Sequence, residues 1–357
     1  MNLSPENFLI KYLNNPSPTG FELEGQKIWM NYLQPYVDEF ITDAYGTAVG
    51  VINPGQDYKV VLEAHADEIA WYVNYINPEG FIYVKRNGGS DHMIAPAKRV
   101  NIFTENGIVK GVFGWPAIHT RKNSKEEVPK LSNIFIDVGA KNAKEVRQMG
   151  IFPGTVITFE DELTVLNDRF YTGRALDNRI GGYMVAQVGR KLFEAKHRPP
   201  YTLYLVNSVQ EEVGLRGAHM IAHRLKPDVA VVTDVTHDTT TPMVDKVEQG
   251  DIRAGRGPVI TVAPSVHNKL RRFISQLAHD KEINFQHDSA SRSTGTDTDA
   301  FAYSNVGVPS ALISLPLRYM HTTVEMCHKD DVELTINLML EFVKSLQKDQ
   351  KFSYFDE

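Results

Sequence analysis

The pattern of apolar and polar positions divides the chain into three stretches. In the first, apolar residues at helical spacing predict helices over 6–14 and 21–33. Two short strands are expected within 40–52, and a compact apolar strand over 58–64 ends at His65. This alternation of helices and strands is typical of an α/β domain.

The middle stretch, 69–162, has a different texture. Its short β-type runs are separated by turn residues, such as Asn106-Gly107, and only 141–149 has a helical pattern. Six strands at such close spacing predict a small β-barrel or sandwich. The runs are 70–76, 80–86, 99–104, 107–115, 133–139 and 154–160.

The α/β pattern returns after residue 163. Helices are predicted over 178–195, 215–224, 266–278, 298–304 and 331–347. Strands are predicted over 201–209, 228–233, 259–263, 284–287 and 309–314. We therefore expect an α/β domain built from 1–68 and 163–357, with a β domain inserted at 69–162.

Composition and charge narrow the functional classes. The chain has 357 residues, of which 42% are hydrophobic and 23% charged, as in an ordinary globular protein. A net charge of -6 gives no reason to expect a nucleic acid or an anionic membrane as partner. The chain shows no signal-peptide pattern and no apolar run of membrane-spanning length, so we expect a cytosolic protein. A single cysteine, Cys327, excludes an intramolecular disulfide and a cysteine-based zinc site.

Two adjacent carboxylates, Glu211 and Glu212, follow the predicted strand 201–209. Consecutive residues on an extended backbone point to opposite sides, so one carboxylate can bind a metal while the other stays free as a base. His65 also follows an apolar strand, and Asp67 two residues later can orient its imidazole. An Asp that caps a turn beside an ordinary histidine is the alternative for this pair.

Three further residues lie at or near the ends of apolar runs: Asp177, Asp234 and His321. Each has an ordinary alternative. Asp177 precedes a predicted helix and suits an N-cap, Asp234 suits a turn after a strand, and His321 suits a structural role. In open α/β sheets, however, ligands collect beyond strand ends, which favours one common site.

Together these residues are enough for two divalent ions if Asp177 is shared. His65 and His321 would act with the carboxylates of Asp177, Glu212 and Asp234, a donor set that suits Zn²⁺ and also fits Co²⁺ or Mn²⁺. Two ions at cocatalytic spacing activate one water, and a carboxylate outside the ligand set must accept its proton. Glu211 is placed to do so.

Five blocks, in this order and spacing, resemble the tetrahedral aminopeptidase family of dinuclear metallopeptidases, some members of which were once labelled endoglucanases. They are HADE, ALDNRIGG, QEEVGLRGA, VVTDV and RYMHTTVEM. The resemblance covers nearly the whole chain. The gap of 112 residues between His65 and Asp177 falls where this family carries its β-barrel dimerisation domain. Related dimeric carboxypeptidase-type enzymes carry their insertion between the fourth ligand and the last histidine, and only 87 residues separate Asp234 from His321.

The resemblance implies a zinc-peptidase-like α/β/α sandwich with this small β-barrel inserted. It implies one metal on His65, Asp177 and Asp234, and another on Asp177, Glu212 and His321. Glu211 would be the general base, and Asp67 would orient His65. The expected activity is removal of N-terminal residues from short peptides with a free N-terminus, in a dimer-based homo-oligomer such as the family's tetrahedral dodecamers.

Some features depart from the family or leave alternatives open. Asn178 follows Asp177 where the family often has a second aspartate, whose absence would change metal affinity. The segment 291–300 fits the family's block near the substrate pocket, and it also reads as a solvated turn. His119, in the insert, is a candidate to approach a neighbouring subunit's site. Arg318, Arg292 and Lys98 would favour an acidic N-terminal residue if they line the pocket.

Other functions use the same residues. A deacylase or an exopeptidase that reads the C-terminus could act through the same two metals. A non-catalytic peptide-binding member is a further alternative, although all five ligands and the base are present. A glucanase has little support, because it needs two carboxylates and no metal.

Overall fold

The structure is a computed structural model that describes residues 3–121 and 127–355. Its strands are β1 (Glu39–Thr42), β2 (Ala48–Ile52), β3 (Lys59–His65), β4 (Ala70–Ile76), β5 (Ile82–Asn87), β6 (Arg99–Thr104), β7 (Gly107–Gly114), β8 (Phe135–Asp137), β9 (Val156–Phe159), β10 (Thr164–Leu166), β11 (Phe170–Gly173), β12 (Thr202–Ser208), β13 (Val229–His237), β14 (Val259–Val262), β15 (Gln286–Ser289), β16 (Ser310–Arg318) and β17 (Glu325–His328). Its α-helices are α1 (Pro5–Asn14), α2 (Leu23–Leu33), α3 (Ala143–Gln148), α4 (Leu176–Glu194), α5 (Arg216–Leu225), α6 (Lys246–Gln249), α7 (Asn268–Asp280), α8 (Asp297–Ala302) and α9 (Lys329–Ser345).

Within the described ranges, eleven strands form one mixed sheet. Its main path is β1-β2-β12-β3-β13-β16-β17-β11-β10, and β14 pairs with both β15 and β16. The four strands β12, β3, β13 and β16 are parallel neighbours. Their carboxyl ends therefore meet at one edge, where open α/β sheets place ligands.

Helices cover both faces of this sheet, because successive apolar side chains of the central strands point to opposite faces and both faces are buried. In β3, Val60 and Leu62 pack with residues of α1, α2, α4, α7 and α9, whereas Val61 packs on the opposite face with residues of α5 and α8. The expected α/β/α sandwich is confirmed. No helix in the described part of the chain is long and apolar enough to cross a membrane.

The inserted β-barrel is also confirmed, and it interrupts the sandwich directly after β3. Its closed order is β4-β5-β8-β7-β6-β9, and the six strands correspond to the six predicted runs. Trp71 is buried in the barrel core, and its ring centroid lies 5.6 Å from that of Phe113 and 6.2 Å from that of Phe159. The domain limits of 69 and 162 stay a prediction, and the barrel strands all lie inside them.

Several elements differ from the sequence prediction. Strand β13 continues to His237, so Asp234 lies within the strand and not after it. Strands β10, β11 and β17 were not predicted, because these runs are short and are ordered by antiparallel pairing with one another and with β16. In α4, Asp177 and Asn178 have non-helical dihedral angles, so the regular helix begins after them.

Candidate metal centre

His65 is the last residue of β3, a strand with parallel neighbours on both sides, and its side chain is buried. Its Nδ1 atom lies 3.4 Å from Oδ1 of Asp67. Asp67 also accepts hydrogen bonds from the backbone N–H groups of Glu211 (2.9 Å) and Glu212 (3.2 Å), and from the Thr19 hydroxyl (2.9 Å). Asp67 therefore connects the histidine to the turn that carries the two glutamates.

Asp177 lies between the two histidines. Its Oδ1 atom is 3.3 Å from Nε2 of His65, and its Oδ2 atom is 3.2 Å from Nε2 of His321. Its backbone is extended (φ −78°, ψ 112°), which places the carboxylate before the regular part of α4. One carboxylate oxygen thus faces each imidazole, as a carboxylate shared between two cations would require.

The two glutamates lie in a turn, not on an extended strand end. A 3₁₀ turn over Glu211–Val213 begins after Gln210, whose φ of 58° is left-handed. Within it, Oε2 of Glu211 lies 3.8 Å from Nε2 of His65, whereas Oε1 of Glu212 lies 3.4 Å from Nε2 of His321. The adjacent carboxylates therefore diverge toward different histidines.

The remaining two predicted residues complete the cluster. Asp234 is buried, accepts a hydrogen bond from the Val235 backbone N–H at 2.8 Å, and places Oδ1 4.0 Å from Nε2 of His65. His321 lies in the loop after β16 with a left-handed φ of 61°, and 33% of its side chain is exposed. The structure thus brings all seven predicted site residues into one cluster.

Two carboxylates that sequence reasoning missed support this cluster. Glu325, which is buried in β17, accepts hydrogen bonds from the backbone N–H groups of Asp177 (3.0 Å) and His321 (2.7 Å). Glu22 accepts the N–H groups of Gly20 (2.7 Å) and Gln210 (3.2 Å). The sequence signal for Glu325 was its position four residues after His321. Glu22 had no such signal, because hydrogen bonds to backbone amides leave no sequence motif.

Burial and crowding strongly affect protonation here. Burial raises the pKa of Glu211 to about 10; His65 opposes this shift and Asp234 reinforces it. Burial likewise holds the pKa of Asp234 well above its usual range. For His321, burial opposes protonation, but contacts with Asp177 and Glu212 raise its pKa to about 11. For Asp177, burial opposes ionisation, but both histidines hold its pKa below the usual range.

The donor set fits divalent cations. Ligand atoms of His65, Asp177 and Glu212 lie within 4.8 Å of one another, and so do those of His65, Glu211 and Asp234. Four carboxylates face two imidazoles in a mostly buried site, and burial acts to raise the pKa of each carboxylate. Their negative charges also repel one another. Cations held among them would relieve this repulsion, and imidazole with carboxylate is a donor set that Zn²⁺ accepts.

A cavity of about 640 Å³ opens onto these residues. Apart from the cluster itself, Asp299 and His237 are the lining residues with ionisable side chains. It is lined by Gly214, Leu215, Val235, Thr236, His237, Ser293, Thr294, Gly295, Thr296, Asp299 and Met320. The segment 291–300 therefore contributes five lining residues, in agreement with its expected place near a substrate pocket.

Arg318, Arg292 and Lys98, the basic residues that would favour an acidic N-terminal residue if they lined the pocket, do not line this cavity. Arg318 pairs with Asp238 at 2.7 Å, and Lys98 pairs with Asp161 at 3.2 Å. Arg292 is exposed on the loop before the lining residues. His119 is exposed in a 3₁₀ turn of the barrel, Ile118–Thr120, and its approach to another subunit stays a prediction.

Comparisons with known proteins show the family to which the chain belongs. Residues 46–338 match the family model described as M42 glutamyl aminopeptidase. The chain is 33% identical over 340 residues to the lysyl aminopeptidase of Pyrococcus furiosus, covering 94% of this chain and 96% of that protein.

Solved structures are similar over the same length. A TET aminopeptidase from a marine-sediment Thaumarchaeota archaeon superposes with a TM-score of 0.91 at 28% identity, over 96% of this chain and 97% of that one. The TET1 peptidase of Pyrococcus horikoshii, which can assemble into a tetrahedron or a large octahedral shell, superposes with a TM-score of 0.84 at 26% identity. It is matched over its whole length and over 96% of this chain.

Proposed function

This chain belongs to the M42 glutamyl aminopeptidase family, and we propose that it is a two-metal enzyme that removes N-terminal residues from short peptides. The observation that carries the proposal is the position of Asp177, with one carboxylate oxygen near each histidine at 3.3 Å and 3.2 Å. His65 and Asp234 would complete one ligand set, and His321 and Glu212 the other. Zinc is the expected metal, with cobalt or manganese as substitutes.

Two bound divalent ions would supply Lewis-acid polarisation of the scissile carbonyl and an acidified water. Glu211 would accept the proton of the attacking water and return it to the departing amine. Its backbone N–H is fixed by Asp67, and its carboxylate lies 3.8 Å from His65 Nε2, so it reaches the reacting region without leaving its turn. Bound cations would lower the raised pKa of Glu211 toward the working range.

The cavity lining supports an amine-bearing substrate. Two divalent ions would offset the charge of the carboxylates next to the histidines, but Asp299 also lines the cavity and is outside the proposed ligand sets. Asp299 would favour the positive charge of a free α-amine. An N-acetylated peptide has lost that charge and should be a poor substrate.

A panel of aminoacyl-p-nitroanilides tests this function. Metal-stripped protein is assayed alone and after addition of Zn²⁺, Co²⁺ or Mn²⁺, with the N-acetylated form of each substrate as control. Metal-restored cleavage of only the free-amine substrates supports the aminopeptidase. Release of p-nitroaniline from only the acetylated forms, or release of acetate without p-nitroaniline, as a deacylase would give, would refute the proposal.

Exchange of Glu211→Gln tests the proposed base. The amide cannot accept a proton, so kcat should fall by about 10²- to 10⁴-fold. Metal content, measured by mass spectrometry, should stay at the wild-type level. Near-normal turnover of this variant would show that Glu211 is not the base.

We also propose that the protein is a homo-oligomer. Support comes from its similarity to the TET1 peptidase of Pyrococcus horikoshii, which assembles into a closed shell. Light scattering coupled to size-exclusion chromatography measures the assembled mass. A monomer at micromolar concentration would contradict this part of the proposal.

A further inference from the structure

The inserted barrel contacts the metal centre at Gly88 and Gly89, which follow β5 and are here named the glycine corner. A Cβ atom built on Gly89 would lie 2.5 Å from Nδ1 and 2.7 Å from Cε1 of His321. Carbon and nitrogen atoms that are not bonded pack no closer than about 3.5 Å at their energy optimum. The backbone of Gly89 therefore lies against the imidazole with no room for a side chain.

The imidazole of His321 has little freedom to move away. Its Nε2 atom faces Asp177 at 3.2 Å and Glu212 at 3.4 Å, whereas its Nδ1 and Cε1 atoms face Gly89. Gly88 is also close to this region, since its added Cβ atom would lie 3.2 Å from Cβ of Glu212. The corner thus lies against two of the three residues proposed to hold the metal on the His321 side, namely His321 and Glu212.

The glycine corner is itself anchored on both sides. Before it, the Asn87 side chain donates a hydrogen bond to the carbonyl oxygen of Thr19 at 2.8 Å. After it, the buried Ser90 hydroxyl donates to the carbonyl oxygen of Ala70 at 2.6 Å. The corner is therefore a fixed surface against which the ring can rest.

Another residue of the inserted domain, Lys98, contacts the loop that carries His321. Lys98 donates a hydrogen bond to the hydroxyl of Thr323, a buried residue two positions after His321. His321 lies in a loop with a left-handed backbone, and a third of its side chain is exposed. Contacts from the inserted barrel thus help to hold His321 in place.

We propose that the glycine corner is a positioning element that fixes the imidazole of His321, so that the barrel sets the affinity of the metal on the His321 side. The inference rests on the proposed two-metal function. It extends that function by assigning the inserted domain a part in the active site itself.

The test is the affinity of each metal equivalent in Gly89→Ala, measured by competition with a chromophoric chelator. The second equivalent, which we assign to the His321 side because that histidine lies in a partly exposed loop, should bind about 10- to 100-fold more weakly than in wild type, the range found when a residue that orients a ligand is lost. The first equivalent should be unchanged. Wild-type affinity for both equivalents would overturn the proposal.

Gly114→Ala is the matched control. A Cβ atom at Gly114 would lie 2.5 Å from Cε2 of Phe135, so the overlap is as severe and lies in the same barrel. It touches no residue of the metal cluster. Both metal affinities should therefore match wild type in this variant, and a loss equal to that of Gly89→Ala would show that general damage to the barrel is the cause.

A double variant separates contact with His321 from misfolding. If Gly89→Ala acts through the ring of His321, adding it to His321→Ala should not lower the free energy of unfolding further. The space that the imidazole occupied is then free for the added methyl group. Should Gly89→Ala fail to fold alone, folding of the double variant supports the contact, and failure of both overturns it. Wild-type protein without bound metal or peptidase activity would instead refute the proposed function.

Discussion

His65 and His321 both face Asp177, but the two imidazoles are held in different ways. His65 ends a central strand of the sheet, and only 1% of its side chain is exposed. His321 lies in a loop, with 33% of its side chain exposed, and depends on Glu325 and the barrel for its position. One half of the site is thus part of the sheet, whereas the other is assembled from separate elements.

This difference leads to unequal expectations for the two halves. A ligand fixed by a buried sheet loses little freedom when a metal binds, whereas a loop ligand must be ordered by its neighbours. We therefore expect the His65 side to bind its ion more tightly. Substitutions remote from the site should affect mainly the His321 side.

The largest effect is expected where the halves meet. Asp177→Asn removes the charge that both ligand sets would share, so both metals should be lost or weakened. Loss of Lewis-acid stabilisation worth several kcal/mol corresponds to a fall in kcat/KM of about 10³-fold or more. Metal analysis and peptidase kinetics check this together. Retention of one tightly bound ion with high activity would contradict the bridging role.

Removing each histidine in turn separates the halves. In the metal-free protein, His65→Ala leaves buried carboxylates without their partner and should lower the free energy of unfolding by about 3–5 kcal/mol. His321→Ala should lower it by less than His65→Ala does, because a third of the His321 side chain is exposed and solvent screens its contacts. Urea unfolding at pH 7 measures both values. Equal losses would mean that the two halves are equally built into the fold.

Glu22 supports the turn that supplies one glutamate to each half. Its burial, with the charge of Asp67, raises its pKa to about 7 in the folded protein, from 4.5. The fold thus favours the neutral acid, and this stabilisation is full below about pH 4.5 and is lost as the pH rises through 7. Between pH 5 and 8, wild type should lose up to about 3 kcal/mol that Glu22→Gln does not lose.

The control for this prediction is Glu24→Gln. Glu24 lies two residues after Glu22, in the first turn of α2, and is exposed beside Lys27. Metal-loaded proteins are unfolded with urea across the pH range, and Glu24→Gln should follow wild type. If Glu22→Gln shows the wild-type pH slope, then Glu22 is not the group that titrates.

The smallest effect is expected at the barrel contact of the His321 loop. Lys98→Met removes the hydrogen bond to Thr323 and the pair with Asp161, both on a partly exposed lysine. Contacts of this kind are worth about 0–1 kcal/mol, so affinity for the second metal should fall by no more than about fivefold. A larger loss would give Lys98 a greater part in holding the loop than its exposure suggests.

The same contrast explains what the sequence could predict. The apolar run before His65 and the alternation of Val60, Val61 and Leu62 indicate a buried strand, because local periodicity reflects the sheet's two faces. The six barrel strands were predictable for the same reason. Sequence blocks also pointed to all seven site residues, which the structure brings together.

What could not be predicted depends on contacts between distant parts of the chain. Strand β17 and its Glu325 are ordered by pairing with β11 and β16, and no local pattern encodes that pairing. The closeness of Gly89 to His321 likewise arises only when the barrel packs on the sandwich. The His321 half was therefore identified by residue type, but its support was visible only in the fold.

Zinc titration of the metal-stripped protein, with peptidase activity followed at each addition, tests the two-metal centre most directly. The account predicts that two equivalents bind per chain, the second more weakly, and that His321→Ala abolishes the second step while keeping the first. Full activity with one equivalent, or with none, would contradict it.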